Sequence, residues 1–174
     1  NKIYVSGIPV GQAFERLKRQ EEAKERLKLL PNLPTVLMMA GSFGVDKVIS
    51  MYRAAASLEG SFQLVVITGR NPRLYEAMRQ ALRESGKPTK LVGFTNRVAD
   101  YMEAADLLVT KPGGLTTTET LTKDKPLVLM DPLPGVESWN QIYFANHSLA
   151  CVTNDFFTGA EVVRNLLRDK ARLA

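Results

Sequence analysis

Short apolar runs rich in Val and Leu recur along this chain, at residues 35–40, 62–68, 89–94, 106–110, 126–130 and 149–153, each followed by a Gly- or Pro-bearing turn. They do not alternate strictly between apolar and polar positions, which is the pattern of strands covered on both faces. Helical patterns fill the intervals. Leu74, Ala77, Met78, Ala81 and Leu82 form one stripe with Gly86 expected as its C-terminal cap, and a second helix, expected to open at Asn96, carries Val98, Tyr101, Met102 and Ala105. Strands alternating with helices imply βαβ units, a parallel sheet and right-handed crossovers. The expected fold is therefore α/β, a Rossmann-like doubly wound parallel sheet of about six strands.

Upstream, residues 12–30 are rich in Glu, Lys, Arg and Leu, with Ala23, Leu27 and Leu30 at helical spacing and a Glu22 to Arg26 pair. The spacing predicts one helix ended by Pro31 and Pro34, charge-laced and solvated in preference to a membrane-surface helix. The whole chain is 174 residues, 45% apolar and 24% charged, which suits one hydrophobic core. Runs such as Val36 to Ala40 fall far short of the roughly 18 apolar residues that span a bilayer. A net charge of +5 favours anionic partners, while 7% aromatics without a dense basic cluster or a recognised binding motif argue against nucleic acid. Cys151 is the only cysteine, which is compatible with a reducing cytoplasmic setting. The start has no initiator Met and no signal-peptide pattern, so it is expected to be a cut edge.

In a doubly wound sheet, ligands bind beyond the carboxyl ends of the strands, so the loops after the apolar runs are the candidate site. Gly41-Ser42-Phe43-Gly44 leads into a helix and suits either phosphate oxygens or a plain tight turn. It is neither a Walker loop nor a three-glycine dinucleotide fingerprint, which disfavours kinases and NAD-dependent oxidoreductases. Arg70, in Thr68-Gly69-Arg70-Asn71-Pro72, can reach a phosphate or a base, or be a surface Arg before a Pro-initiated helix. Phe94 and Thr95 offer a stacking face and polar groups to a base, although an aromatic at a strand end is more often core.

The strongest segment is Lys111-Pro112-Gly113-Gly114-Leu115-Thr116-Thr117-Thr118-Glu119. Its glycines and helix start suit a diphosphate, and Glu119 can accept hydrogen bonds from a ribose diol. Thr116-x-x-Glu119 also spells a capping box, which spacing alone puts first. In Asp131-Pro132-Leu133-Pro134-Gly135-Val136-Glu137-Ser138-Trp139-Asn140-Gln141, the residues Glu137, Asn140 and Gln141 can hold sugar hydroxyls or simply open a helix.

Taken in order, these stretches, together with Val5-Ser6-Gly7-Ile8-Pro9-Val10, resemble the C-terminal donor-binding domain of a GT-B glycosyltransferase. The nearest branch is that of monogalactosyldiacylglycerol synthases and processive diacylglycerol glucosyltransferases, and the peptidoglycan-precursor N-acetylglucosaminyltransferase is a more distant relative. The resemblance implies a crossover over residues 1–12, one donor-binding domain over 13–174 and an N-terminal acceptor domain outside this chain. It implies that Gly41, Ser42, Phe43, Gly44, Gly113, Gly114, Leu115 and Thr116 hold the diphosphate of UDP, with Arg70 and Pro112 also counted in the UDP-sugar site. Phe94 and Thr95 would border uracil, Glu119 would take the ribose hydroxyls, and Gly135, Glu137 and Asn140 would form the sugar loop. That loop commonly reads Gly-Gln-Glu-x-x-Asn, and Val136 stands where Gln is usual.

The implied activity is inverting, metal-independent transfer of a hexose from UDP-galactose or UDP-glucose to a lipid such as diacylglycerol, with no cofactor. The catalytic base would lie in the acceptor domain, leaving this fragment inactive alone. His147, at the end of a predicted helix, is not expected to be that base, and Cys151 reads as buried packing. The full-length protein is expected to be cytoplasmic or peripheral on a membrane. Alternatives are a GT-B enzyme with another acceptor, such as a peptidoglycan lipid precursor, and a UDP-binding regulatory module without transferase activity.

Overall fold

Every apolar run named from the sequence becomes a strand in the computed structural model, which describes residues 2–4, 6–15, 19–39, 44–153 and 158–169. In chain order the elements are α1 (Gln12–Glu15), α2 (Gln20–Arg26), β1 (Thr35–Met39), α3 (Val45–Ala56), β2 (Gln63–Ile67), α4 (Pro72–Arg83) and β3 (Thr89–Val92). There follow α5 (Val98–Ala104), β4 (Leu107–Thr110), α6 (Gly114–Thr122), β5 (Leu127–Leu129), α7 (Val136–Asn146), β6 (Cys151–Val152) and α8 (Gly159–Arg168). The six strands form one sheet of order β3-β2-β1-β4-β5-β6, and every pairing is parallel. This is the doubly wound arrangement expected from the alternation, with the strand order reversing between β1 and β4.

Side chains alternate between the two faces along each strand, so the core divides into two layers. Val36 and Met38 of β1 join Leu64, Val66, Leu107 and Val109 under α3, α4 and α8. Leu37 joins Val65, Leu108 and Leu129 under α2, α5 and α7. Burial on both faces is why the runs read as continuously apolar.

The amino ends of the strands carry a buried polar layer. Asp106 accepts the Thr35 N–H at 2.7 Å and the Lys24 ammonium at 3.1 Å, while the Gln63 amide donates to the Leu30 carbonyl at 2.7 Å. Lys123 and Glu103 form a fully enclosed ion pair at 2.7 Å. These groups anchor the end of the sheet opposite the candidate site.

Several helix ends depart from expectation. The helix over 12–30 divides into α1 and α2, residues 16–18 lying outside the described set, and α2 ends at Arg26, before either proline. Its terminus is a Schellman turn: the Leu29 N–H reaches the Lys24 carbonyl, the Lys28 N–H reaches that of Glu25, and Lys28 takes a left-handed φ of +53°. The turn buries Leu29 and leaves Leu30, expected on the apolar stripe, 47% exposed. Ala23 and Leu27 are buried against α5, so that stripe is core packing. Gly86 is not a helix cap. α4 stops at Arg83 with Glu84 in a right-handed conformation, and its last carbonyls are met by the Glu84 and Ser85 N–H groups. α5 begins at Val98 rather than Asn96, because Thr95 Oγ1 accepts the Arg97 N–H at 3.0 Å and holds the preceding residues in a turn. Cys151 lies half-buried on edge strand β6 and packs against the core layer under α3, α4 and α8, a packing role as expected though not full burial. No helix among the described residues is long and apolar enough to cross a membrane.

Candidate functional site

β1 and β4 are neighbours with Met39 opposite Thr110, and the Thr110 hydroxyl donates to the Met39 carbonyl at 3.1 Å. The loops leaving these two strands thus start side by side at the carboxyl edge, where the strand order reverses. Each loop ends in a glycine N-cap, Gly44 for α3 and Gly113 for α6, and neither helix has a side-chain cap. The first-turn N–H groups of an uncapped helix lack an intrahelical partner and carry the positive end of its dipole. By contrast, Asn71 Oδ1 caps α4 by accepting the Leu74 N–H at 3.0 Å, and Thr158 with Glu161 makes a full capping box on α8.

Neither cap needs glycine for the protein's own sake. Gly113 has φ −81° and Gly44 φ −60°, conformations open to any residue. A Cβ on Gly44 would meet nothing within 4 Å among the described residues, and one on Gly113 would meet only Lys111 Cε at 3.7 Å. Among the described residues, packing therefore leaves room for a side chain at both caps. A Cβ on Gly114 would meet Ile8 Cδ1 at 2.9 Å, so the segment before α1 lies over this loop. Gly41, Ser42 and Phe43 fall outside the described residues.

The capping-box reading of Thr116 and Glu119 is overturned. α6 starts at Gly114, so Thr116 is already in its first turn and Glu119 in its interior. Thr117, Thr118, Thr120 and Thr122 all donate their hydroxyls to carbonyls one turn back, at 2.7 to 2.9 Å. Thr116 makes no such bond among the described residues, and its helical spacing puts it on the face of Glu119, with Leu115 exposed beside it. Glu119 is half-buried with no hydrogen bond or ion pair to its carboxylate among those residues, and burial pushes its carboxyl above the usual value.

Arg70, after β2, and Phe94, after β3, meet: the guanidinium stands 4.3 Å from the ring centroid. Phe94 is 56% exposed, so it is not the core aromatic that its position at a strand end commonly signals. The Thr95 hydroxyl is engaged as an acceptor from Arg97.

The loop after β5 is tied to the loop after β4. Lys111 pairs with Glu137 Oε1, Glu137 Oε2 accepts the Leu133 N–H at 3.0 Å, and the Asn140 amide donates to the Pro112 carbonyl at 2.9 Å. Burial works to raise the Glu137 carboxyl, but the Lys111 hydrogen bond, the Leu133 N–H and the Lys111 charge outweigh it and hold the group below the usual range. The Gln141 amide donates to the Met130 carbonyl at 3.3 Å. Gly135 has φ +110°, a conformation that does require glycine. Val136 is 76% exposed and presents no polar group. His147 ends α7 and stacks on Tyr143, away from these loops.

The structure therefore brings Gly44, Gly113, Gly114, Thr116, Glu119, Glu137 and Asn140 to one edge, with Arg70 and Phe94 beyond β2 and β3. Lys111 was missed as a side chain that joins two loops. Its position before Pro-Gly-Gly was legible in the sequence, but its partner, 26 residues further on, was not. A groove of about 400 Å³ opens between α3, the end of β5 and α8, lined by Lys47, Met51, Asp131 and Thr158 but by none of the candidate residues.

The family model described as the glycosyltransferase family 28 C-terminal domain matches residues 35–170. The processive diacylglycerol beta-glucosyltransferase of Staphylococcus carnosus (strain TM300) is 32% identical over 173 residues, covering 99% of this chain and 44% of that protein. That of Bacillus subtilis (strain 168) is 31% identical over 173 residues, covering 99% and 45%. The chain thus spans less than half the length of these relatives. Among solved structures, MurG of Acinetobacter baumannii superposes with a TM-score of 0.70 at 20% identity, over 99% of this chain and 50% of that one. Anabaena Alr3699/HepE in complex with UDP-glucose gives 0.69 at 16% identity, over 88% and 44%. These likenesses match the doubly wound fold.

Proposed function

The chain belongs to the glycosyltransferase family 28 C-terminal domain family, and from that premise we propose that it is the donor-binding half of an enzyme moving a hexose from a UDP-sugar to a lipid such as diacylglycerol. The observation that carries the reading is the pair of glycine-capped, otherwise uncapped helices beside the strand-order reversal, with the half-buried Glu119 one turn further along α6. The helix ends suit a diphosphate. The Glu119 carboxylate suits a ribose diol, and the exposed Phe94 ring with its Arg70 suits the base.

Transfer with inversion needs a base on the acceptor hydroxyl and stabilisation of the charge that develops on departing UDP. The α3 and α6 N-termini supply the second function, without calling on a resident metal. The base belongs to the remainder of the parent protein. Glu137 and Asn140 would meet the hexose: one carboxylate carries more acceptor sites than Lys111 and Leu133 fill, and the Asn140 side-chain oxygen is left over once its amide is used. The curated relatives point to glucose, since both are named glucosyltransferases; UDP-galactose is the competing donor. Contact with a membrane surface would accompany a lipid acceptor.

Calorimetric titration of this chain with UDP, with ADP and NADH as controls and the two UDP-hexoses after, tests the reading. Selective UDP binding, tightened by one hexose, is expected; indifference to every nucleotide would sink it. One observation favours a second reading, a UDP-binding module that has lost transfer: Val136, exposed where the family's loop carries Gln, offers the sugar no hydrogen bond. That reading predicts UDP binding with no gain from any hexose.

A further inference from the structure

We infer that Lys111 is a positioning residue that aims Glu137 at the donor's hexose, and that this side chain gives the site its preference for a UDP-sugar over UDP. The inference rests on the donor-binding reading above.

Lys111 directly follows β4, and its stem runs past Gly113 before the ammonium reaches Glu137 Oε1 on α7. Both side chains are largely enclosed, with 19% and 15% of their surface exposed. A carboxylate this enclosed stays ionised only when its charge is met, and Lys111 with the Leu133 N–H meets it: the Glu137 carboxyl is held below its ordinary range against its own burial. An ionised carboxylate is acceptor-only, so its remaining lone pairs are committed to donors such as sugar hydroxyls. Without the ammonium, the same carboxyl would have reason to protonate or swing outward, and its hydroxyl-accepting geometry would be lost.

Among the described residues, Lys111 alone holds Oε1. Leu133 engages Oε2, and Asn140 to Pro112 ties the two loops independently of the pair. Removing Lys111 therefore leaves the loops joined while releasing the carboxylate. The charge of the ammonium is already met by Glu137, its partner among the described residues; on this inference the diphosphate is left to the helix N-termini, and UDP itself should not depend on Lys111.

The test compares Lys111→Met, Lys111→Arg and the exchange Lys111→Glu with Glu137→Lys, each titrated with UDP and with the preferred UDP-hexose, with thermal unfolding to establish that every variant folds. Lys111→Met is expected to weaken the UDP-hexose about tenfold, the loss of one hydrogen bond to a charged group, and to change UDP less than threefold or so. Arg should restore most of the difference. The exchanged pair keeps the tie between loops but presents a donor where the hexose needs an acceptor, so hexose preference stays lost; a merely structural tie would give it back, and that result would overturn the inference. An equal loss for UDP and UDP-hexose in Lys111→Met would overturn it too, by making Lys111 a diphosphate ligand. A native chain that binds UDP but gains nothing from a hexose rejects this inference alone, whereas one that binds no UDP rejects the donor-binding reading and takes the inference with it.

Discussion

Replacing Glu119 by Gln sets two effects of opposite sign against each other. The carboxyl is half-buried on α6 without a compensating partner among the described residues, and burial raises its pKa. The folded chain therefore holds this proton more tightly than the unfolded chain does. The stability tied to it is full below the unfolded pKa and is lost as pH rises through the folded pKa. Near neutral pH the native chain carries that penalty and the Gln variant does not, so the variant should melt higher. Under acid the carboxyl protonates, and the two curves should converge. Affinity moves the other way. A ribose hydroxyl donating to a carboxylate contributes about 1.5 to 3 kcal/mol, so the neutral amide should weaken UDP by roughly 10- to 150-fold. Thermal unfolding across the acidic to neutral range, paired with UDP titration, reads both effects. A variant that binds UDP as tightly as the native chain would refute the ribose role, and one that melts lower near neutral pH would refute the uncompensated-burial argument. A gain in stability joined to a loss of binding marks a group kept for function.

Other substitutions separate site from scaffold. Gly113→Ala should lower stability by no more than about 1 kcal/mol, because φ and space both admit a side chain, yet weaken UDP at least about tenfold by blocking the helix end. Gly135→Ala has open space but φ +110°, so denaturation should reveal a strain of about 1 to 3 kcal/mol instead. Lys123→Met strips Glu103 of its enclosed partner and should cost about 3 to 5 kcal/mol in urea unfolding; a loss under about 1 kcal/mol would mean the pair is solvated in solution. Lys28→Gly should stabilise the chain by about 1 kcal/mol, since Lys28 holds a left-handed φ that glycine adopts freely, and no change in melting temperature would count against that strain.

The inner strands were legible because burial on both faces leaves a nearly unbroken apolar run, while the half-buried edge strands β3, with Lys90, and β6 were read from their place in the alternation, which led directly to the parallel order. Helix ends were not, and the reason is specific. The non-glycine residues with positive φ among the described residues are Lys28, Asp124 and Ser148, and each sits where α2, α6 or α7 turns out through a Schellman bond pattern. Glycine is the usual signal for that turn, so a Lys, Asp or Ser in its place gives no warning, and the glycine that did draw attention, Gly86, lies past a helix that had already ended. Leu27 and Leu29 at the end of α2 and Phe144 in the last turn of α7 are buried in one core layer, and such packing is not visible along the chain.

The site's misreading has a different origin. Thr116-x-x-Glu119 fits a cap and a helix interior equally well, and the choice depends only on which residue starts α6. Gly113 at the N-cap starts it three residues earlier than a capping Thr116 would, which places Glu119 a full turn inside, where it has no backbone N–H to cap. The same start explains why so open a site is tolerated. At an N-cap, glycine is weaker than Ser, Thr or Asp by only a few tenths of a kcal/mol, so leaving α3 and α6 uncapped costs the fold little. α4 and α8 carry side-chain caps, while α2, α5 and α7 go without one just as α3 and α6 do, so a missing cap alone singles out nothing. What sets α3 and α6 apart is a glycine of ordinary φ at the N-cap of each, on neighbouring strand ends, whereas the Gly135 cap of α7 holds φ +110°. An anion drawn to the paired helix ends accounts for those two glycines, because its charge would satisfy the N–H groups that they leave bare.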